Sequence, residues 1–332
     1  MAKSVDNLSS EDELDYTPAS ADRETLELVI PVEHAGLRLD QVLALMIPAH
    51  SRSRLQNWIK AEQVKVDGEP ASAKAKVWGG EIVRVQPRLS DVELSFRPED
   101  IPIDVVYEDA ALLVINKPAG LVVHPGSGNW EGTLLNGLLH RWPASSRIPR
   151  AGIVHRLDKD TSGLMVVAKT LEAQTNLVRQ LQARSVKREY FAIVRGAVLR
   201  AGKVDGAIGR DPRDRTKMAM VPSGKPAVTH YEPVERLPHH TLIMCRLETG
   251  RTHQIRVHMQ SIGHALAGDL VYRGRVQGSD TITANLLKDF GRQALHATRL
   301  ALCHPDTNAQ LEWEVPMASD MTNLLNQLRQ LP

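Results

Sequence analysis

The chain has 332 residues, a formal net charge of +2, two cysteines and only 4% aromatic residues. That length allows two or more domains with mainly aliphatic cores. Cys245 and Cys303 are too few for a disulfide framework or a four-cysteine metal site, which points to a reducing, cytoplasmic setting. No apolar run approaches the roughly 18 residues of a membrane span, and the acidic, polar start does not resemble a signal peptide. Residues 1–25 hold seven acidic against two basic side chains, a local charge of −5 that leaves +7 on the rest. The composition predicts a disordered acidic tail, and the basic body points to nucleic acid or another polyanion.

Residues 26–86 form the first folded unit. Leu39, Val42, Leu43, Met46 and Ile47 recur at helical spacing until Pro48 stops the helix. Ser51 or Ser53 can cap a second helix whose apolar stripe is Leu55, Trp58 and Ile59, with Arg52, Arg54 and Lys60 on the other face. A strand at Val64–Val66 runs into the turn Asp67-Gly68, and another covers Glu81–Val85. Basic residues early in the second helix suit phosphate contacts, although such faces are often merely solvated. Residues 87–102 contain Pro87, Pro98 and Pro102 and no helical pattern, as expected of a semi-rigid linker.

Residues 103–332 are predicted as the second domain. Strands are expected at Ile103–Tyr107 and Leu112–Ile115, with Asn116–Gly120 breaking the sheet and Val122–Gly126 returning to it. Gly126-Ser127-Gly128 lacks a phosphate-binding spacing. Helices are expected at Thr133–His140, Leu171–Ala183 and Ala318–Leu328. Strands are expected at Lys187–Val194, Leu295–Ala297 with Leu300–Cys303, and Leu311–Trp313. Residues 273–289 look like a polar surface loop.

The densest chemistry lies in Gly152–Gly163, between an apolar run ending at Val154 and a strand from Leu164 to Ala168, a strand–loop–strand pattern. His155, Arg156, Asp158, Lys159 and Asp160 fall within six positions. A carboxylate between cations tends to stay ionised, which suits a nucleophile or base, so Asp158 is the candidate; a solvated, salt-bridged turn is the alternative. Tyr190, 32 residues on, either stacks on a flat base or is an ordinary core tyrosine. Arg251, His253, Arg256 and His258 gather where a helix would start, with Thr252 as candidate cap. An arginine projected from that helix is a natural bidentate partner for Asp158. His253 and His258 lack an acidic third ligand at zinc-binding spacing, so no metal is expected.

Two resemblances join these segments. Leu37-Arg38-Leu39-Asp40, Ser51-Arg52-Ser53-Arg54, Val64-Lys65-Val66-Asp67-Gly68 and Gly79-Gly80-Glu81 resemble the S4 RNA-binding domain, which implies RNA contacts at Arg38, Arg52, Arg54, Lys60 and Lys65. His155-Arg156-Leu157-Asp158-Lys159-Asp160-Thr161-Ser162-Gly163 resembles the signature of the RluA family of RNA pseudouridine synthases. Asn116-Lys117-Pro118, His124-Pro125-Gly126, Arg188-Glu189-Tyr190 and Gly250–His258 are similar to that family in the same order. The resemblance implies an α+β fold, with a mixed, mainly antiparallel central sheet flanked by helices behind a small N-terminal α+β S4 domain. It implies Asp158 as the essential aspartate, Tyr190 on the target base, Arg256 as ion-pair partner and Arg156 as the side chain replacing the flipped uridine. His155, Arg251 and His253 are further candidate RNA contacts. The implied activity is isomerisation of specific uridines in large-subunit (23S) ribosomal RNA, without cofactor, by a monomer acting on a pre-ribosomal particle. Alternatives are a synthase for transfer RNA or another rRNA site, an RNA glycosylase, and a catalytically silent RNA-binding or ribosome-assembly protein.

Overall fold

The structure, a computed structural model, describes residues 25–48, 50, 52–86, 96–126, 128–274 and 281–331. The chain divides into two units, Met1–Leu94 and Ser95–Pro332. Residues 1–24 of the predicted tail, most of the linker, Ser51 and the side chains of Ser53 and Arg54 lie outside the described residues.

In the first unit, helices α1 (Leu39–Met46) and α2 (Arg52–Lys60) accompany strands β1 (Leu26–Val29), β2 (Val64–Val66), β3 (Glu69–Pro70) and β4 (Ile82–Val85). The antiparallel order is β1-β4-β2-β3. Period-two alternation turns Val83 and Val85 inward, onto Leu39, Val42, Leu43, Leu55 and Trp58. Asp67 and Gly68 both take positive φ, 49° and 84°, the pairing that a tight hairpin between β2 and β3 requires. The sequence pattern had not singled out β1.

The second unit is built on a sheet that has nine strands among the described residues, in the order β5-β6-β7-β14-β8-β13-β12-β9, with β15 also pairing β14. The strands are β5 (Val105–Glu108), β6 (Leu112–Lys117), β7 (Ser162–Ala168), β8 (Lys187–Arg195), β9 (Gly202–Asp205), β12 (Val228–Leu237), β13 (His240–Leu247), β14 (Leu295–Cys303) and β15 (Gln310–Glu314). A small hairpin, β10 (Ile208–Arg210) and β11 (Met218–Met220), stands apart. Pairing is antiparallel except where β14 runs parallel to β7. The fold is therefore α+β with a mixed, mainly antiparallel sheet.

Both faces of the central strands are covered, which is why Leu112–Ile115 of β6 and Leu164–Ala168 of β7 are continuously apolar. Leu113, Ile115, Met165 and Val167 face one core with Tyr190 and Ile255, while Leu112, Val114, Leu164 and Val166 face another with Leu177 and Leu300. Helices α3 (Leu134–Arg141) and α5 (Gln254–Ser261) pack into the first, and α4 (Leu171–Gln182) into the second. Helices α6 (Thr281–Phe290) and α7 (Ser319–Arg329) share a third cluster through Leu287, Leu324 and Leu328. Gly163 carries a φ of 111°, and a Cβ there would fall 2.2 Å from the Ala297 carbonyl oxygen, so the close β7–β14 approach requires glycine.

Several local expectations change. The residues before Asp158 are not a strand: Pro149–Gly152 is a 3-10 turn with Arg150 and Ala151 left-handed, and Ile153 makes one isolated bridge to Val167. Asn116 and Lys117 stay within β6, and the sheet breaks only at Pro118. Val122–Gly126 contributes isolated bridges rather than a strand. Within the expected loop 273–289, a helix begins at Thr281 and runs to Phe290, because buried Thr283 and Leu287 with partly buried Leu286 and Phe290 make one stripe.

Candidate active site

Asp158 sits on the loop between the 3-10 turn and β7, and that loop is pinned from several sides. Its own turn closes through Thr161 N–H donating to the Asp158 carbonyl at 3.0 Å. Lys117, 1% exposed, donates from Nζ to the carbonyls of Pro118 (2.7 Å), Leu121 (2.9 Å) and Lys159 (2.9 Å). Burial pushes the Lys117 pKa down to about 7, against the pull of Asp160 and Asp158. Arg292 donates from Nη1 to the Asp160 carbonyl at 3.0 Å, and Gln293 Nε2 donates to Thr161 Oγ1 at 3.1 Å.

Arg256 reaches this loop from α5, 98 residues away. Its Nη1 donates to Asp158 Oδ2 at 3.0 Å. The other edge of the guanidinium grips buried Asp269, Nε to Oδ2 at 2.7 Å and Nη2 to Oδ1 at 3.0 Å. The Tyr272 ring lies 4.9 Å beneath it. Burial opposes the Arg256 charge, but the two carboxylates outweigh it and raise its pKa. Desolvation likewise works against ionised Asp269, and Arg256 with the backbone amides of Tyr272 and Val271 still holds its pKa below the ordinary value.

The start of α5 is organised by Gln254, not by Thr252. His253 occupies the N-cap position in the left-handed region, φ 57°, and gives no side-chain cap. Gln254 Oε1 accepts from Arg251 N–H at 3.0 Å and Thr249 Oγ1 at 2.7 Å. The Tyr272 hydroxyl accepts from Met218 N–H, so its own proton is free to go to His253 Nδ1 at 2.8 Å. That leaves His253 Nε2 facing Asp158 Oδ1 at 3.9 Å. Desolvation lowers the His253 pKa despite Asp158.

A cavity of about 570 Å³ opens over these groups, lined by Asp158, Tyr190, Arg256 and Arg156, and also by His155, Arg251 and His253. Tyr190 is 5% exposed and projects from the middle of β8. Burial raises its pKa. His155 accepts from Val166 N–H at its Nε2, 3.1 Å, and burial pushes its pKa down to about 3. The ring is thus a neutral brace for β7. Arg156 and Arg251 are exposed, and Arg251 Nε donates to the Pro226 carbonyl at 3.2 Å.

In the S4-like unit, Arg38 and Arg52 converge on Asp40, whose side chain is fully buried, with contacts of 3.0 and 2.8 Å. Desolvation would raise the Asp40 pKa, but Gln56 and the two arginines bring it below normal. Lys60 and Lys65 are exposed. Sequence reasoning gave no role to Lys117, Arg188 or Asp269. Lys117 and Arg188 stand inside motifs quoted above; for Lys117 and Asp269 a charged residue at the edge of an apolar run was the available signal.

A carboxylate, a guanidinium and a phenol thus line one cavity. A family profile described as RNA pseudouridylate synthase matches residues 111–261, and one described as S4 domain matches residues 37–83. The chain belongs to the RNA pseudouridylate synthase family. Ribosomal large subunit pseudouridine synthase D of Nitrosomonas europaea is 53% identical over 98% of this chain and 94% of its own length. The protein of the same description from Escherichia coli is 51% identical over 93% of this chain and 96% of its own. Among solved structures, human RNA pseudouridylate synthase domain containing 1 covers 70% of this chain and 97% of its own, with a TM-score of 0.51 and 25% identity.

Proposed function

We propose that the protein converts specific uridines of large-subunit ribosomal RNA to pseudouridine, with Asp158 acting at the ribose of a flipped nucleotide. The observation that carries this reading is the 3.0 Å bond from Arg256 to Asp158 at the wall of a cavity that Tyr190 shares. The relatives described as ribosomal large subunit pseudouridine synthase D support the substrate.

The reaction detaches uracil from C1′, turns it and rejoins it through C5, with no net change in redox state. An ionised Asp158 either bonds to C1′ or removes the C2′ proton. Arg256 fixes one carboxylate oxygen and leaves the other to the substrate. Tyr190, with its proton held by a raised pKa, lies against the ring of the base. Extrusion costs a few kcal/mol, and exposed Arg156 offsets it by filling the space left in the RNA. The S4-like unit grips the RNA backbone through Lys60, Lys65 and the outer faces of Arg38 and Arg52. Arg54 and Arg251 add phosphate contacts. A monomer acting on a pre-ribosomal particle in the cytoplasm fits this reading, and no helix among the described residues is long and apolar enough to cross a membrane.

The test is to incubate 23S rRNA with the protein and map pseudouridine by carbodiimide treatment and primer extension. New stops are expected with the wild type and none with Asp158→Asn; pseudouridine made by the variant would end the assignment.

A further inference from the structure

Arg188 stands two residues before Tyr190 on β8, so both side chains leave the same face of the strand, about 7 Å apart along it. It lines the cavity yet is only 7% exposed. Its Nε has no hydrogen-bond partner, and no carboxylate pairs with its guanidinium among the described residues. A buried N–H in that state is costly, because its water is gone and nothing replaces it. A ligand that completes the shell resolves the conflict. The backbone also makes room for the group: a Cβ at Gly250 would lie 2.6 Å from Arg188 Nη1.

Depth tells which part of the RNA Arg188 meets. Arg156, Arg184 and Arg251 line the same cavity but are exposed, the place for phosphates that stay at the rim. A flipped nucleotide goes in base first. Burial raises the Tyr190 pKa; Arg188 is the strongest charge acting on the phenol and opposes that rise, while Asp158 adds to it. The guanidinium and the ring thus leave one face of β8 and line the same cavity.

We propose that Arg188 takes a uracil carbonyl oxygen and stabilises the negative charge the base acquires as it leaves the ribose. This assignment rests on the cavity being the uridine site. When the C1′–N1 bond breaks, its electron pair passes to N1 and spreads onto O2 and O4. At the sugar, Asp158 either bonds to C1′ or takes the C2′ proton. After the turn, C5 bonds to C1′ and Asp158 is released, or returns its proton to C2′. C5 then loses its proton and N1 gains one. A cation fixed in a site of low dielectric favours the charged base over bound uridine, so it acts on the chemical step rather than on binding.

The test compares Arg188→Met and Arg188→Lys with wild type in single turnover, on RNA carrying uridine or 5-fluorouridine at the target. Fluorine withdraws electrons and makes N1 a better leaving group. For Arg188→Met the rate on uridine should fall about 10²–10³-fold, as for loss of one oxyanion donor, with RNA affinity within about threefold. On 5-fluorouridine, followed as disappearance of the N1-linked nucleoside, the loss should shrink to roughly tenfold. Arg188→Lys, which keeps the charge, should fall between wild type and Met on uridine and recover on 5-fluorouridine, and it carries the test should the Met variant not fold. Equal losses on both substrates would mark a structural role. Weaker RNA binding with an unchanged rate would mark a phosphate ligand, and either result overturns the proposal. A wild-type protein that makes no pseudouridine strikes the proposed function instead.

Discussion

Asp269 holds the two-pronged edge of Arg256, leaving a single Nη1–H for Asp158. The guanidinium is thus fixed in place before it touches the carboxylate that meets substrate. A lysine can reach one acid or the other, but cannot span both. Arg256→Lys is expected to lower kcat by about 10²-fold and to destabilise the fold by about 2 kcal/mol, because Asp269 loses a buried partner. Single-turnover rates and urea unfolding measure the two effects; an unchanged rate would detach Arg256 from the chemistry.

Asp158→Asn keeps the shape of the side chain and removes its charge. Turnover should vanish while RNA affinity stays within about threefold, since the substituted group faces a sugar and not a phosphate. A filter-binding titration run beside the pseudouridine assay separates the two; a large loss of affinity would recast Asp158 as an RNA ligand.

Tyr190 keeps its proton at neutral pH, because burial raises its pKa. If the ring supplies contact with the base, Tyr190→Phe should cost less than about tenfold in rate and Tyr190→Ala at least about 10²-fold. Equal losses would assign the step to the hydroxyl.

Lys117→Met removes the donor shared by three carbonyls, including that of Lys159 beside Asp158. Leaving buried carbonyls without a donor costs about 1–3 kcal/mol, and the loosened loop should lower kcat more than it raises KM. Thermal melts and steady-state kinetics on one RNA substrate test both; a normal kcat would confine Lys117 to stability.

Asp109 supplies the pH-linked case. Burial raises its pKa, but the backbone amides of Leu112 and Ala111, the Tyr107 hydroxyl and His304 bring it down to about 2 from 3.8. A depressed carboxylate stabilises the fold above its unfolded pKa and loses that contribution as pH falls through the folded value. The gain is about 2 kcal/mol at neutral pH. The stability gap between wild type and Asp109→Asn, read from urea titrations, should narrow from pH 5 toward pH 3; a constant gap would contradict the linkage.

Much of this was legible in the chain because it is written in local pattern. The buried stripe of α4, the alternation of β4 and the dense loop around Asp158 each lie within a dozen residues. What was not legible depends on long-range partners. Asp269 looks like any loop acid until Arg256 folds against it, and His155 looks like a cation until β7 donates an amide to it. Helix α6 was hidden because Thr283 fills an apolar position in its stripe and no Leu or Ile marks its first turn on that face.

Arg292 clasps Asp320 near the start of the last helix with contacts of 2.7 and 2.8 Å, and with the same guanidinium it holds the Asp160 carbonyl. A ribosome makes that helix well after the segment it braces. Until residues 319–329 have left the exit tunnel, the segment bearing Asp158 lacks this brace, so a product truncated before them would bind RNA through its earlier part and leave it unmodified.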